Sequence, residues 1–275
     1  MAIQYDTHLH SDFSTDSSTQ LISQINEAKK SGLHGIVITD HYDYDFPKDQ
    51  YPEADTPFVF SIPDYLSCIK SLQKEVNTEQ FQLYTGIELG LQNTALVHAK
   101  MDEIHTYDQF DYFIGSVHLI DKKDPYYPEF WQGGSPHDLI LKYFEQMLDN
   151  ITAYHNFDAL GHLDYIVRYA PEHYQYQPAN FKDVICAILE LLIQKEIALE
   201  INTSGIKSTG MPNPHTQILQ WYQDLHGSLI TIGSDAHSPE FLAYRFDLLN
   251  KILQINGFRE YVTYEKHKPN WHYLL

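Results

Sequence analysis

The chain has 275 residues, with 18 Lys and Arg against 37 Asp and Glu, for a formal net charge of −19. That balance excludes tracking along a nucleic-acid backbone or docking on an anionic membrane, both of which need a basic surface. Two cysteines, Cys68 and Cys186, exclude a disulfide scaffold and a thiolate metal cluster, and no apolar run nears the ~20 residues of a membrane span.

The first residues lack the basic start and apolar stretch of a signal peptide, so a cytoplasmic protein is expected. Residues 2–5 form a short β-rich run that breaks into Asp6-Thr7-His8-Leu9-His10. Residues 19–30 then place Leu21, Ile22, Ile25 and Ala28 on one helical face, with Gly32 beyond the end. A second run, 35–38, stops at Thr39-Asp40-His41, and 63–77 reads as a helix. A third run, 81–85, leads into Gly86-Ile87-Glu88; between 92 and 111 the pattern supports only a short helix. The run 112–115 ends in Ser116-Val117-His118 and is followed by a helix over 137–154. The run 157–160 ends in Gly161-His162-Leu163-Asp164, and a strongly apolar helix spans 179–195. The run 197–199 ends in Glu200-Ile201-Asn202-Thr203-Ser204-Gly205, with a helix over 215–225. The seventh run, 229–232, ends in Ser234-Asp235-Ala236-His237, and one helix is expected over 239–255.

Strands alternating with helices imply parallel strands joined by helical crossovers. The first strand lacks the Gly-rich turn common in open doubly wound sheets, which favours a closed barrel. No linker or low-complexity tract divides the chain, so one domain over 1–275 is expected. In such a barrel the active site collects at the C-terminal strand ends. Those ends are where the ionisable residues lie, in a chain with 16 histidines. His8 and His10 alternate onto one strand face and can reach one ion. His8, His10, His41, Glu88, His118, His162, Asp235 and His237 make eight donors, and Asp16 is a ninth. A catalytic mononuclear site takes about three or four protein ligands, so nine with Glu88 as a bridge suit three ions. With no thiolate, the set suits Zn²⁺, Mn²⁺, Fe²⁺ or Co²⁺ alike.

The ordered set Asp6-x-His8-x-His10, Thr39-Asp40-His41, Glu88, Ser116-x-His118, Gly161-His162-x-Asp164 and Asp235-x-His237 resembles the polymerase and histidinol phosphatase (PHP) superfamily over residues 5–240. Chain length, Asp16 after His-Ser-x-x-Ser, Glu200-Ile-Asn-Thr-Ser-Gly205 and Gly205-Ile-Lys207 resemble its monofunctional histidinol-phosphatase branch. The resemblance implies a distorted (β/α)7 barrel with its metal site at the C-terminal strand ends. It implies a first ion on His8, His10, Glu88 and Asp235, and a second on Glu88, His118 and His162. A third would sit on Asp16, His41 and His237, although many members carry His at the position of Asp16. Asp6 and Asp40 would orient ligand imidazoles; the plainer alternative for both is turn capping. The implied activity is hydrolysis of L-histidinol phosphate to L-histidinol and phosphate, in histidine biosynthesis.

Three divalent ions outweigh Glu88, Asp235 and Asp16, so the site invites an anion on an acidic protein. A phosphate monoester fits, attacked in line by a metal-bridging hydroxide. The chain has no Gly-x-Ser-x-Gly nucleophile elbow. On the rim, Arg168 and Lys207 are the candidate phosphate clamps, with Arg168 also a candidate catalytic group. Asp164 could protonate the leaving alkoxide, hold a substrate ammonium or serve as a supporting carboxylate. Asp43, Asp45 and Asp164, with the Tyr-rich rim loops, could pair with the cationic groups of the substrate. Other readings stay open: another PHP phosphoesterase acting on nucleotides or phosphotyrosine, a metal-dependent amidohydrolase, or a non-catalytic metal-binding regulator. The expected partner is a small phosphate monoester, with neither nucleic acid nor membrane.

Overall fold

The computed structural model describes residues 3–274, and its centre is a ring of parallel strands. In chain order the strands are β1 (Tyr5–Leu9), β2 (Gly35–Ile38), β3 (His41–Tyr42), β4 (Gln82–Gly90), β5 (Tyr112–Ser116), β6 (Ala159–Leu160), β7 (Ala198–Asn202) and β8 (Ile230–Gly233). They pair in the order β1-β2-β4-β5-β6-β7-β8, with the two-residue β3 extending the edge of β4. The ring nearly closes where Leu9 bridges Ala236, Asp235 N–H donates to His8 O at 2.8 Å and His10 N–H donates to Ala236 O at 3.0 Å. This is the distorted seven-stranded barrel expected.

The helices are α1 (Leu21–Lys30), α2 (Ile62–Val76), α3 (Ala95–Ile104), α4 (Pro136–Ala153), α5 (Lys182–Lys195), α6 (Gly205–Thr209), α7 (Thr216–Asp224) and α8 (Phe246–Ile255). Their apolar stripes face the strands: α2 buries Ile62, Tyr65, Leu66 and Ile69, one helical face by spacing. Ser61, two residues before Pro63, and Ser135, next to Pro136, start α2 and α4 by accepting from the amides of Asp64 and Asp138. Among the described residues no helix is long and apolar enough to cross a membrane.

The strand boundaries differ from expectation in one direction. The first strand is Tyr5–Leu9 rather than 2–5, of which Ala2 lies outside the described residues, and the third runs on to Gly90. The run at 197–199 continues to Asn202. The apolar runs stop where polar residues begin, but the backbone does not: its ladder continues while the inward side chains become ionisable. The single helix expected over 239–255 is also broken. A short turn at Pro239–Phe241 precedes α8, because Ala243 and Arg245 take left-handed φ of 52° and 56°. The Ala243 amide is drawn away to donate to Asp6 Oδ2 at 2.9 Å.

Beyond α8 lies a hairpin with no counterpart in the sequence reading, β9 (Glu260–Glu265) and β10 (Lys268–Tyr273). Its turn residues, Lys266 and His267, both have positive φ without being Gly or Asn, so the usual hairpin signal is missing. Val262 and Tyr264 of β9 join Val37, Tyr112, Ile114, Ala159 and Ala198 in a separate apolar cluster. Tyr112 O–H donates to Thr231 Oγ1 at 3.2 Å, from β5 to the non-neighbouring β8, so this cluster fills the barrel interior. The hairpin plugs the end of the barrel where the strands begin.

Candidate metal centre

The other end of the barrel is polar. Glu88, near the end of β4, is fully buried, and five imidazoles surround its carboxylate. Oε1 lies 2.9 Å from His162 Nε2 and 3.2 Å from His118 Nε2. Oε2 lies 2.8 Å from His41 Nδ1 and 3.1 Å from His8 Nε2, with His10 Nε2 at 3.6 Å. The parallel register of β3 on β4 sets His41 opposite Glu88. Asp235, just after β8, takes a left-handed φ of 55°, a strained setting for a non-glycine residue and one common at functional sites. Its Oδ1 comes 3.2 Å from His10 Nε2. Asp16 Oδ2 lies 3.3 Å from His237 Nε2 and 3.7 Å from His41 Nε2. The structure thus brings all nine expected donors to one place. His8, His10 and Glu88, and Glu88, His118 and His162, each set three donor atoms within 4.8 Å of one another.

Each of three imidazoles has Nδ1 tied to an oxygen, leaving Nε2 for the centre. His8 Nδ1 meets Glu200 Oε1 at 2.6 Å, His118 Nδ1 meets Asp43 Oδ1 at 2.8 Å, and His10 Nδ1 meets Ser14 Oγ at 3.0 Å. Such bonds select the ring tautomer and aim the free nitrogen, as behind metal-bound histidines. Glu200 also accepts from the His162 backbone amide at 2.8 Å, so one carboxylate ties the His8 ring to the backbone that carries His162. A methyl group on Gly233 would lie 2.6 Å from Glu200 Oε1, which is why glycine stands there.

The electrostatics call for cations. Burial works against the charge on Glu88, but His8, His41 and His118 hold its carboxyl well below the usual range. Burial likewise opposes charge on His41, yet Glu88 and Asp16 raise it to about 9. Burial pushes His10 well below its usual value, helped by His237 and His41. The donor set passes a direct test of fit. His8 Nε2, His10 Nε2, His41 Nδ1, His118 Nε2 and Glu88 Oε2 are buried without a hydrogen-bond partner among the described residues. Orphaned buried polar atoms are costly, and five facing one point need a ligand that accepts lone pairs.

Several expectations change. Asp6 does not orient an imidazole: it accepts from Ser234 N–H and Oγ–H and from Ala243 N–H, capping the turn after β8. Asp40 reaches His10 only through Ser14, whose hydroxyl it accepts at 2.6 Å. Asp43 holds His118 and Asp45 pairs with Lys122, so neither is free for a substrate cation. Asp164 is buried, accepts from Asn213 Nδ2 at 2.6 Å and His215 N–H at 2.9 Å, and does not line the cavity. Burial raises it to about 6, against those bonds. Its place is that of a support under Asn213 rather than a proton donor. Lys207 Nζ lies 3.2 Å above the Phe241 ring, also outside the cavity lining. Arg168 does line it: Nη1 reaches Asp235 Oδ2 at 3.2 Å, Nε donates to Asn213 Oδ1 at 2.9 Å, and the guanidinium lies over the Tyr165 ring. The positioning role of Glu200 was missed, although an acid alternating with Ala198 and Asn202 inside a buried strand was a legible sign of it.

The mouth opens into a cavity of ≈ 260 Å³ walled by Arg168, Asp235, His118 and the rings of Tyr165, Tyr127 and Phe58. Residues 6–204 match the PHP domain family. The chain is 31% identical to a probable histidinol-phosphatase of Clostridium acetobutylicum, covering 88% of this chain and 89% of that one. It is 31% identical to a probable histidinol-phosphatase of Thermotoga maritima, covering 96% of each. Its fold superposes with a TM-score of 0.85, at 28% identity, on a crystal structure of histidinol phosphate phosphatase from Lactococcus lactis complexed with zinc, L-histidinol and phosphate. That alignment covers 97% of this chain and 98% of the other.

Proposed function

The chain belongs to the PHP domain family, and on that premise we propose that it is a metal-dependent phosphomonoesterase hydrolysing L-histidinol phosphate to L-histidinol and phosphate. The observation that carries the reading is the ring of orphaned donor atoms around Glu88, in a fold shared with a relative that holds zinc, L-histidinol and phosphate. Three divalent ions per chain, with zinc the leading candidate, would be held by His8, His10, Glu88 and Asp235, by Glu88, His118 and His162, and by Asp16, His41 and His237. When bound, such ions neutralise phosphoryl charge and bring the pKa of water toward ~7, supplying a nucleophile at neutral pH.

The chain's own groups do the rest. Glu200, Asp43 and Ser14 hold three imidazoles in one tautomer, so the donor ring needs little rearrangement on loading. Arg168 holds a fixed guanidinium at the cavity wall between Asp235 and Ser204, where a remaining Nη N–H can meet a phosphoryl oxygen. The walls of Tyr165, Tyr169 and Tyr127 limit water around the ester. Residues 1–275 act as one catalytic domain in this reading, since β8, Asp235 and the plugging hairpin all lie beyond the family match. The acidic balance and two free cysteines support a cytoplasmic setting.

A substrate panel on metal-loaded protein tests it. Histidinol phosphate is expected to exceed p-nitrophenyl phosphate, nucleoside monophosphates and phosphotyrosine in kcat/KM by at least about tenfold. A flat profile would keep the phosphatase chemistry and remove the substrate.

A further inference from the structure

The cavity at the barrel mouth is lined by four carboxylates, Asp16, Asp43, Asp124 and Asp235. Three are already committed: Asp16 to His237 and His41, Asp43 to His118, Asp235 to His10 and Arg168. Asp124 is different. Among the described residues no Lys, Arg or His lies within ion-pair distance of it, and Oδ1 accepts only the Tyr126 amide, at 2.8 Å. Burial pushes its carboxyl up to about 6, against that bond and the more distant pull of His118. This is a half-buried acid facing a cavity without a cation beside it.

The loop that carries Asp124 is built to hold it there. Ile120 and Lys123 exchange backbone hydrogen bonds at 2.9 Å around Asp121 and Lys122, which both take positive φ. Gln50, from the loop after β3, braces the turn twice: its side-chain amide donates to Lys122 O, and its Oε1 accepts the Asp124 amide at 2.7 Å. Lys122 is tied to Asp45 at 2.8 Å, and Trp131 Nε1–H donates to Pro125 O at 2.9 Å. Tyr126 meets Tyr169 edge to face at 5.5 Å, joining this loop to the one that carries Arg168.

We propose that Asp124 is the residue that reads the alcohol half of the substrate, its carboxylate pairing with the cationic group of an amino-alcohol phosphate. This rests on the substrate proposed above and deepens it. The cavity then matches a phosphate ester at both ends: Arg168 and the donor ring take the anion, and Asp124 among tyrosine rings takes the cation. A neutral alcohol would leave the acid unpaired in a half-buried site, and that is the physical source of discrimination.

The test is inhibition of p-nitrophenyl phosphate hydrolysis by the two products, measured on zinc-loaded wild type, Asp124→Asn and Asp124→Glu. Asn keeps an acceptor for the Tyr126 amide and so keeps the loop. In Asp124→Asn the inhibition constant of L-histidinol is expected to rise by at least about tenfold and that of inorganic phosphate by less than about threefold. Asp124→Glu, which restores the charge, should recover most of the L-histidinol affinity. L-histidinol inhibiting the Asn variant as well as it does wild type would overturn the assignment. So would both constants rising together, which would put the effect at the phosphate end. Wild type insensitive to L-histidinol would also overturn this inference, whereas only a flat substrate panel removes the substrate itself.

Discussion

The two ends of the barrel are made from the same strands and solve opposite problems. Stepping by two residues up β5 passes Tyr112, Ile114, Ser116 and then His118; up β7 it passes Ala198, Glu200 and Asn202; up β8, Thr231, Gly233 and Asp235. Alternation sends each series inward, so the interior changes from apolar to ionisable along one axis. At the lower end the polar groups are few and paired, and Tyr264 stacks on Tyr112 with centroids 5.3 Å apart. At the upper end, charged and orphaned groups are held together at electrostatic cost. The lower end holds apolar and paired groups that stabilise the barrel, and the upper end holds the groups on which the proposed function rests.

Substitutions at the two ends should therefore separate activity from stability. The largest effect is expected from Glu88→Ala, which removes the carboxylate shared by the first two donor groups. kcat/KM should fall by ~10⁴-fold or more, about 5 kcal/mol, with at least one ion lost in metal analysis. Full activity with an unchanged metal count would break the reading of the upper end. At the lower end, Tyr264→Ala should cost about 3–5 kcal/mol in denaturant unfolding, as large aromatic truncations do. The same variant, where folded, should keep kcat within about threefold of wild type. A strong loss of kcat there would mean that the plug is coupled to the site.

Arg168→Ala should lower kcat/KM by one to three orders of magnitude, about 1.4 to 4 kcal/mol, with normal metal content. Loss of metal instead would show that it acts by holding Asp235. Glu200→Gln sharpens the boundary between the two ends, since Glu200 lies directly beneath the donor ring. Its expected signature is a 10–100-fold weaker zinc affinity, read by competition with a chromogenic chelator, because the His8 tautomer is no longer set by a carboxylate. The smallest effect is expected from Thr231→Val, which leaves the Tyr112 hydroxyl unpaired and should cost about 1–3 kcal/mol of stability. Retained stability in that variant would mean that the lower interior tolerates an unpaired hydroxyl.

Much of this was legible in the amino-acid sequence. Strand–helix alternation yields the barrel, and the polar endings of the apolar runs mark the donor residues, because inward alternation and strand-end placement are local properties. The hairpin of β9 and β10 was not legible. Its turn carries no Gly or Asn, and its stability comes from filling the barrel and from contacts such as His267 N–H to Asp111 O at 2.9 Å. The partners of the acids were equally hidden. Asp6, Asp43, Asp45, Asp124 and Asp164 are the same residue type near strand or loop ends. Which of them caps a turn, sets an imidazole, pairs with lysine, supports an asparagine or faces the cavity depends on neighbours from 49 to 237 positions away. Sequence alone determined the chemistry available to this protein, since the kind and spacing of donors are written in each strand. Tertiary structure decided which acid does what, because a carboxylate's role is set by the nearest cation or amide, and closing the barrel is what brings those together.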